Sequence, residues 1–372
     1  MTTYFDVIVV GGGPGGSSAA YFLTQQGLSV LLLERKSLPR YKTCAGGVPT
    51  SALKIFPFQF DSIIEQYIHW STFVYKHQSV TQELPPKSLV MVMRDSLDNF
   101  LVKRSGAEVM ENCPVHRVVQ ERQNIQVITE NGRIFRAKYV IGADGVNSRV
   151  GKSLGIRNNA QTGIALEAEI PVKELLLHRF HGHFVIGIGV LKNGYYWIFP
   201  KSNHLSVGIG SMYCGVKSLS SILSQSMAKH GICLEKKLLK AYPLPRYHGH
   251  RPIQNGRILL VGDAAGLVDP LTGEGIRPAI KSGQLAAEAI ACGQIDRYSS
   301  RIKATIGYDF FLSKPLASLF YSHQYYGFQL LIRNRYIFRD MMKILNQQHT
   351  YRRSLFRLLL YVLGFTRRIP TN

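Results

Sequence analysis

Acidic residues are few in this sequence relative to basic ones. Its 372 residues hold 23 Asp and Glu against 45 Lys and Arg, a net charge of +22. A field of that sign draws an anionic partner, whether a lipid surface, an acidic redox protein or a nucleic acid, unless it is only a solvated basic face. No nucleic-acid-binding signature accompanies it, which sets that class aside. Cysteine is sparse too. Cys44, Cys113, Cys214, Cys233 and Cys292 stand singly, with no CxxC, so neither a zinc site nor a dithiol redox pair is expected. A reducing cytoplasm suits that usage. No run of about eighteen uncharged apolar residues occurs, which argues against a membrane-spanning helix. The N-terminus lacks the basic start, apolar run and cleavage site of an export signal. The expected location is the cytoplasm, either free or peripheral at a membrane surface. The remaining composition is ordinary for a globular chain, 45% hydrophobic and 18% charged, enough for one large domain or two interleaved ones.

The strongest local pattern is at the start. Val7-Ile8-Val9-Val10 is a β-branched run suited to a strand buried on both faces. Gly11-Gly12-Gly13-Pro14-Gly15-Gly16 follows, with G-x-G-x-x-G at 11, 13 and 16, then a helix-forming Ser17–Gln26 stretch and a second strand ending in Glu34-Arg35. The motif glycines differ in role. Gly11 permits the tight turn, Gly13 lets backbone approach a pyrophosphate, and Gly16 lets helix pack on strand. The helix N-terminus offers N–H groups and a positive dipole end to phosphates. Glu34, 23 residues after Gly11, is placed to accept hydrogen bonds from a ribose diol. Its carboxylate would repel a 2′-phosphate, so this order of elements fits FAD or NAD and not NADP.

Two further segments separate these. Lys138-Tyr139-Val140-Ile141-Gly142-Ala143-Asp144-Gly145 and Arg257-Ile258-Leu259-Leu260-Val261-Gly262-Asp263-Ala264-Ala265-Gly266 are apolar strands ending in an Asp beside glycine. Each presents a carboxylate at the carboxyl end of a sheet strand, where α/β sheets bind ligands. With these GADG and GDAAG segments the sequence resembles the para-hydroxybenzoate hydroxylase-like flavoprotein superfamily. The resemblance implies FAD, with Asp263 on its ribitol, the Asp144-Gly145 turn beside the pyrophosphate, and Arg94 of Met93-Arg94-Asp95-Ser96-Leu97-Asp98 helping to hold it. Gly273 and Gly275, in Pro270-Leu271-Thr272-Gly273-Glu274-Gly275, would bring N–H groups and a helix end beside the flavin, where they favour the charge of its reduced form. No second GxGxxG follows a strand, so the electron donor, NADPH or a ferredoxin, must dock transiently; the basic surface suits an acidic ferredoxin.

Between these motifs, residues 160–213 alternate apolar and polar positions with glycines, as in a meandering antiparallel sheet. Arg117–Arg136, with Asn131-Gly132, predicts a hairpin on the nucleotide domain. Gly194-Tyr195-Tyr196-Trp197-Ile198-Phe199-Pro200 matches the Tyr-x-Trp-x-Phe-Pro pattern of the geranylgeranyl reductase family, which the chain resembles over roughly residues 1–300. Strand alternation puts Tyr195, Trp197 and Phe199 on one face, an aromatic wall for an apolar substrate. Tyr41-Lys42-Thr43-Cys44-Ala45-Gly46-Gly47 resembles the family's Lys-Pro-Cys-Gly-Gly segment, with Thr43 and Ala45 as departures. The resemblance makes Cys44, Tyr195 and Trp197 the candidate catalytic residues, and Tyr195, Trp197 and Phe199 the substrate-binding ones.

The expected fold is α/β: a Rossmann-like FAD-binding domain (1–70, 94–155 and 248–300) interleaved with an antiparallel-sheet substrate domain (71–93 and 156–247), plus a basic C-terminal helical region (301–372). That region carries 12 Lys and Arg against 2 acids, with Gly307, Pro315 and Gly364 as expected interruptions. Its Tyr351–Arg368 stretch suits either an interfacial helix or a helix closing the substrate cavity, and the aromatic cluster Phe310, Phe311, Phe320, Tyr321, Tyr325, Tyr326 and Phe328 points the same two ways. The expected activity is FAD-dependent reduction of double bonds in a polyprenyl chain of a lipid, pigment or quinone. The alternatives are a flavin monooxygenase of an apolar substrate and a flavin-bound, non-catalytic assembly factor. No metal is expected.

Overall fold

The computed structural model describes residues 4–156, 163–213, 215–249, 251–345 and 350–353. Its nucleotide half is built on an eight-stranded sheet. The Tyr4–Val10 strand lies at the centre, parallel to Val30–Leu33 on one side and to Ile134–Gly142 on the other; Glu108–Met110 and Ile258–Leu260 extend the parallel set. Val7, Ile8 and Val9 are fully buried, as a strand covered on both faces requires. The Arg117–Arg136 segment forms more than a hairpin. Val115–Gln120, Ile125–Thr129 and the long Ile134–Gly142 strand make a three-stranded antiparallel meander, and Gly132 takes the positive φ of the second turn.

Small residues let two helices cover this sheet at close range. The Pro14–Thr24 and Ile276–Ala291 helices meet at Gly15, Ala19, Ala279 and Gly283; a Cβ on Gly283 would lie 2.3 Å from the Gly15 carbonyl oxygen. The Ser18 hydroxyl donates to the Ile280 carbonyl at the same contact, 2.9 Å away.

A seven-stranded sheet forms the second half. Its order runs Lys240–Leu244, Gly163–Pro171, His204–Ser211, Gly194–Pro200, His183–Ile188, Trp70–Tyr75, Gln78–Glu83, antiparallel except for the His183–Ile188 and Trp70–Tyr75 pair. Its outer face packs Ile198, Val207 and Ile209 against the Leu219–Ala228 helix; its inner face turns to the nucleotide half. A three-stranded sheet, Gly47–Pro49, Leu89–Val92 and Ile64–Ile68, sits where the halves meet.

The C-terminal region is helical, but its breaks differ from those expected. Gly307 ends a π-helical turn and Pro315 lies inside the Tyr308–Ser322 helix; the interruptions fall at His323 and Asn334 instead. Gly307 serves packing, since a Cβ there would lie 2.2 Å from the Tyr247 hydroxyl. Gly364, and the Tyr351–Arg368 stretch beyond Arg353, lie outside the described residues. No described helix is long and apolar enough to cross a membrane.

Candidate active site

A continuous cavity of about 1740 Å³ runs between the two halves, from Gly11, Gly13 and Glu34 past Cys44, Trp197 and Gly273 to Leu331 and Met342. That exceeds the roughly 300–1,000 Å³ of a pocket for one small ligand.

The three motif glycines have different surroundings. Gly11 has φ +106°, and a Cβ there would lie 2.4 Å from the Ala143 oxygen. Gly16 packs against the Gly11 carbonyl, while no atom lies within 4 Å of a Cβ built on Gly13, so the glycine at the helix N-terminus faces open space. Glu34 is buried and accepts from the Gly12 N–H at 2.9 Å and the Lys36 N–H at 3.1 Å. Arg35 beside it is exposed at the cavity mouth.

Arg40 carries a role that sequence reading missed. Its guanidinium spans Glu34, at 3.0 Å, and the fully buried Asp98, at 2.9 Å. Arg94 grips the same Asp98 with two bonds of 3.0 Å. Two arginines therefore share one buried carboxylate. Burial opposes the Arg94 charge, but Asp98 and the nearby Cys44 hold its pKa above the ordinary arginine value. Burial would also raise the Glu34 carboxyl; Arg40 and the two N–H donors outweigh it and hold the group below the usual range. The i, i+4 spacing of Arg94 and Asp98 was a local signal; nothing local points to Arg40.

The two strand-end aspartates differ. Asp144 turns back to cap the Arg149–Ser153 helix, accepting from the Ser148 hydroxyl at 2.5 Å and the Arg149 N–H at 2.6 Å. It fixes the Asp144-Gly145 turn, and both residues line the cavity there. Asp263 lines the cavity; the Tyr242 hydroxyl donates to it at 3.0 Å, and a Cβ on Gly275 would stand 3.5 Å from its other oxygen. Asp263 and the Gly273–Gly275 turn thus form one wall.

Three phenols pin that turn. Tyr195 donates to the Thr272 carbonyl at 2.5 Å, Tyr321 to the Leu271 carbonyl at 2.7 Å, and Tyr351 to the Asp269 carboxylate at 2.7 Å. Burial raises the pKa of all three.

Tyr195, Trp197 and Phe199 line the cavity together, while Tyr196 and Ile198 face the outer core. The Trp197 ring lies over the neighbouring strand at Gly208, where a Cβ would come within 2.0 Å of it. The indole Nε1 is buried without a hydrogen-bond partner. Cys44 lies half-buried in the same wall, among the charges of Lys42, Arg94 and Lys201. Lys201 is itself buried, donating to the Ala45 and Val92 carbonyls at 2.8 and 2.9 Å, and burial pushes its pKa down to about 8. Glu167, also missed from sequence, is a buried carboxylate on the wall that accepts from the Tyr41 hydroxyl at 2.6 Å and the Ser206 hydroxyl at 3.0 Å. No cluster of candidate metal ligands occurs among the described residues.

These residues fit a flavin dinucleotide: room beside Gly13, a carboxylate at the end of the second strand, and an unpaired buried N–H in the wall that a flavin ring would approach. Fold and site together define a flavin-dependent oxidoreductase. The profile of the FAD binding domain family matches residues 4–294. The chain is 31% identical to the digeranylgeranylglycerophospholipid reductase of Methanocella arvoryzae, over 82% of this chain and 85% of that protein. It is 31% identical to the chloroplastic geranylgeranyl diphosphate reductase of Oryza sativa subsp. japonica over 77% of this chain, and spans 66% of that enzyme's length. A geranylgeranyl bacteriochlorophyll reductase-like protein of Thermoplasma acidophilum shares the fold, with a TM-score of 0.74 over 97% of this chain and 96% of that one, at 23% identity. The chain belongs to the FAD-binding geranylgeranyl reductase family.

Proposed function

We propose that this protein is an FAD-dependent reductase that saturates carbon–carbon double bonds in a geranylgeranyl-type chain carried by a lipid, pigment or quinone. The observation that carries the reading is the two-part cavity. Its nucleotide end is polar and glycine-lined; its far end, walled by Phe73, Phe184, Phe199, Leu331 and Met342, is apolar and deep enough for a long hydrocarbon.

Saturating an alkene adds a hydride equivalent to one carbon and a proton to the other. Reduced FAD supplies the hydride equivalent. Gly11, Gly13, Gly16, Glu34, Arg35, Arg94, Asp144, Gly145, Asp263, Gly273 and Gly275 are the proposed cofactor residues, and Arg40 joins them by holding Glu34 and Asp98 in place. Tyr195, Trp197 and Phe199 hold the alkene and exclude water. The proton would come from Cys44, Tyr195 or a trapped water; Tyr195 is engaged with Thr272 and its pKa is raised by burial, which supports Cys44 or a water over it. The electron donor is proposed to be NADPH or an acidic ferredoxin, the latter supported by the net charge of +22. The same charge supports a peripheral contact with a membrane.

The test is anaerobic. Protein with chemically reduced flavin is mixed with geranylgeranyl diphosphate or a prenylated quinone, following flavin absorbance and product mass. A gain of about two mass units per double bond, with flavin reoxidation, is the expected outcome. Reoxidation only on admitting air, with a product about sixteen units heavier, would replace the reading with a monooxygenase.

A further inference from the structure

The aromatic cluster of the C-terminal region divides between two faces. In the Tyr308–Ser322 helix, Phe310, Ser313, Ala317 and Tyr321 are buried, and Leu316 and Phe320 line the cavity. On the other side Tyr308, Phe311 and Leu319 are 50%, 65% and 59% exposed, and past the break at His323 Tyr325 and Tyr326 are 46% and 69% exposed. Positions 308, 311, 315, 319 and 322 step by three and four, so they form one stripe along the helix. Of the twelve large apolar side chains exposed among the described residues, these five fall within 19 consecutive positions on two successive helices, a concentration rather than a scatter along the chain.

The sequence around the stripe is net basic. From 297 to 333 the sequence has five basic residues and one acid, Asp309, which is half-buried; Lys303 and Lys314 are exposed, and Arg301 is paired with Glu288 of the preceding helix. Tyrosine rings with a polar tip and an apolar body suit the headgroup level of a bilayer, and cations nearby suit its phosphates. The reverse face of the same helix is a wall of the apolar cavity, so a hydrocarbon leaving the bilayer would have about one helix diameter, roughly 10 Å, to pass.

We propose that this stripe, together with Tyr325 and Tyr326 of the next helix, docks the protein on an anionic lipid bilayer, with Tyr308, Phe311, Leu319, Tyr325 and Tyr326 at the headgroup level and Lys303 and Lys314 on lipid phosphates. The proposal deepens the reading of a lipid substrate by naming the surface from which that substrate is drawn.

The experiment is co-sedimentation of the full-length protein with vesicles of phosphatidylcholine alone or mixed with phosphatidylglycerol, at low and high salt. The wild type is expected to bind the mixed vesicles, more weakly at high salt. A Phe311→Ser, Leu319→Ser, Tyr326→Ser variant is expected to lose about tenfold in bound fraction, with unchanged melting temperature and flavin content. A Lys303→Glu, Lys314→Glu variant is expected to lose the preference for anionic vesicles, and serves where the triple variant does not fold. Equal vesicle binding by all three proteins, or none by the wild type, would overturn the proposal. So would a dimer, seen by light scattering, that the triple variant converts to monomer without change in vesicle binding. Turnover of a detergent-dispersed prenyl substrate, measured in parallel, separates the two readings: its absence in the wild type counts against the reductase and leaves the docking result standing.

Discussion

The Tyr351 hydroxyl donates to the Asp269 carboxylate at 2.7 Å, 82 residues apart in the chain and both side chains buried. Asp269 in turn accepts from the Leu271 N–H at 2.8 Å, and its carbonyl accepts from the Gly273 N–H at 3.0 Å. The last described helical turn is thereby tied to the loop proposed to face the flavin. Tyr351→Phe would leave a buried carboxylate one donor short. The expected cost is about 1.5–3 kcal/mol in a urea unfolding midpoint, with faster loss of flavin on gel filtration. An unchanged midpoint and full flavin retention would show that the tie does not support the loop.

Asp98 is the shared counter-ion of Arg40 and Arg94. Asp98→Asn would keep the shape and remove the charge both arginines face. Breaking buried pairs of this kind costs about 3–5 kcal/mol, so the variant is expected to be destabilised by that order in chemical denaturation and to purify without flavin. A stability loss below about 1 kcal/mol would mean that the arginines find other partners.

Trp197 has a buried N–H that no protein group accepts. Trp197→Phe deletes it and keeps an aromatic ring over Gly208. Affinity for FAD or for the prenyl substrate is expected to fall roughly fivefold to tenfold, the value of one net hydrogen bond. If calorimetry gives unchanged affinity for both, the N–H has no ligand.

Glu167 gives a pH dependence. Burial raises its carboxyl above the ordinary range, against the Tyr41 and Ser206 hydrogen bonds and the Lys201 and Lys240 charges; Glu169 beside it is raised too. The fold therefore favours the protonated acid. The resulting stabilisation is complete below the ordinary value of about 4.3 and is lost as pH rises through the raised one. Glu167→Gln mimics the protonated form, so its melting temperature should gain on the wild type between pH 4 and neutrality. A difference that stays flat with pH would contradict this.

What is written contiguously in the chain can be read before any fold is known. The glycine turn, the strand-end acids Glu34 and Asp263, the alternating Tyr195, Trp197 and Phe199, and the Arg94–Asp98 step each sit in a short contiguous motif whose backbone geometry sets their direction, even where a partner such as Gly12 or Tyr242 comes from further along the chain. Tertiary structure decided the rest. Arg40 reaches Asp98 across 58 positions, Tyr41 reaches Glu167 across 126, and Lys201 reaches Ala45 across 156. A cation or phenol that meets its partner only after two sheets have closed on each other leaves no periodic trace in the chain. The C-terminal aromatics show the same division. Their spacing marks a helix with apolar residues on two sides, but which side meets the cavity and which meets solvent was set by how that helix packs against the antiparallel sheet.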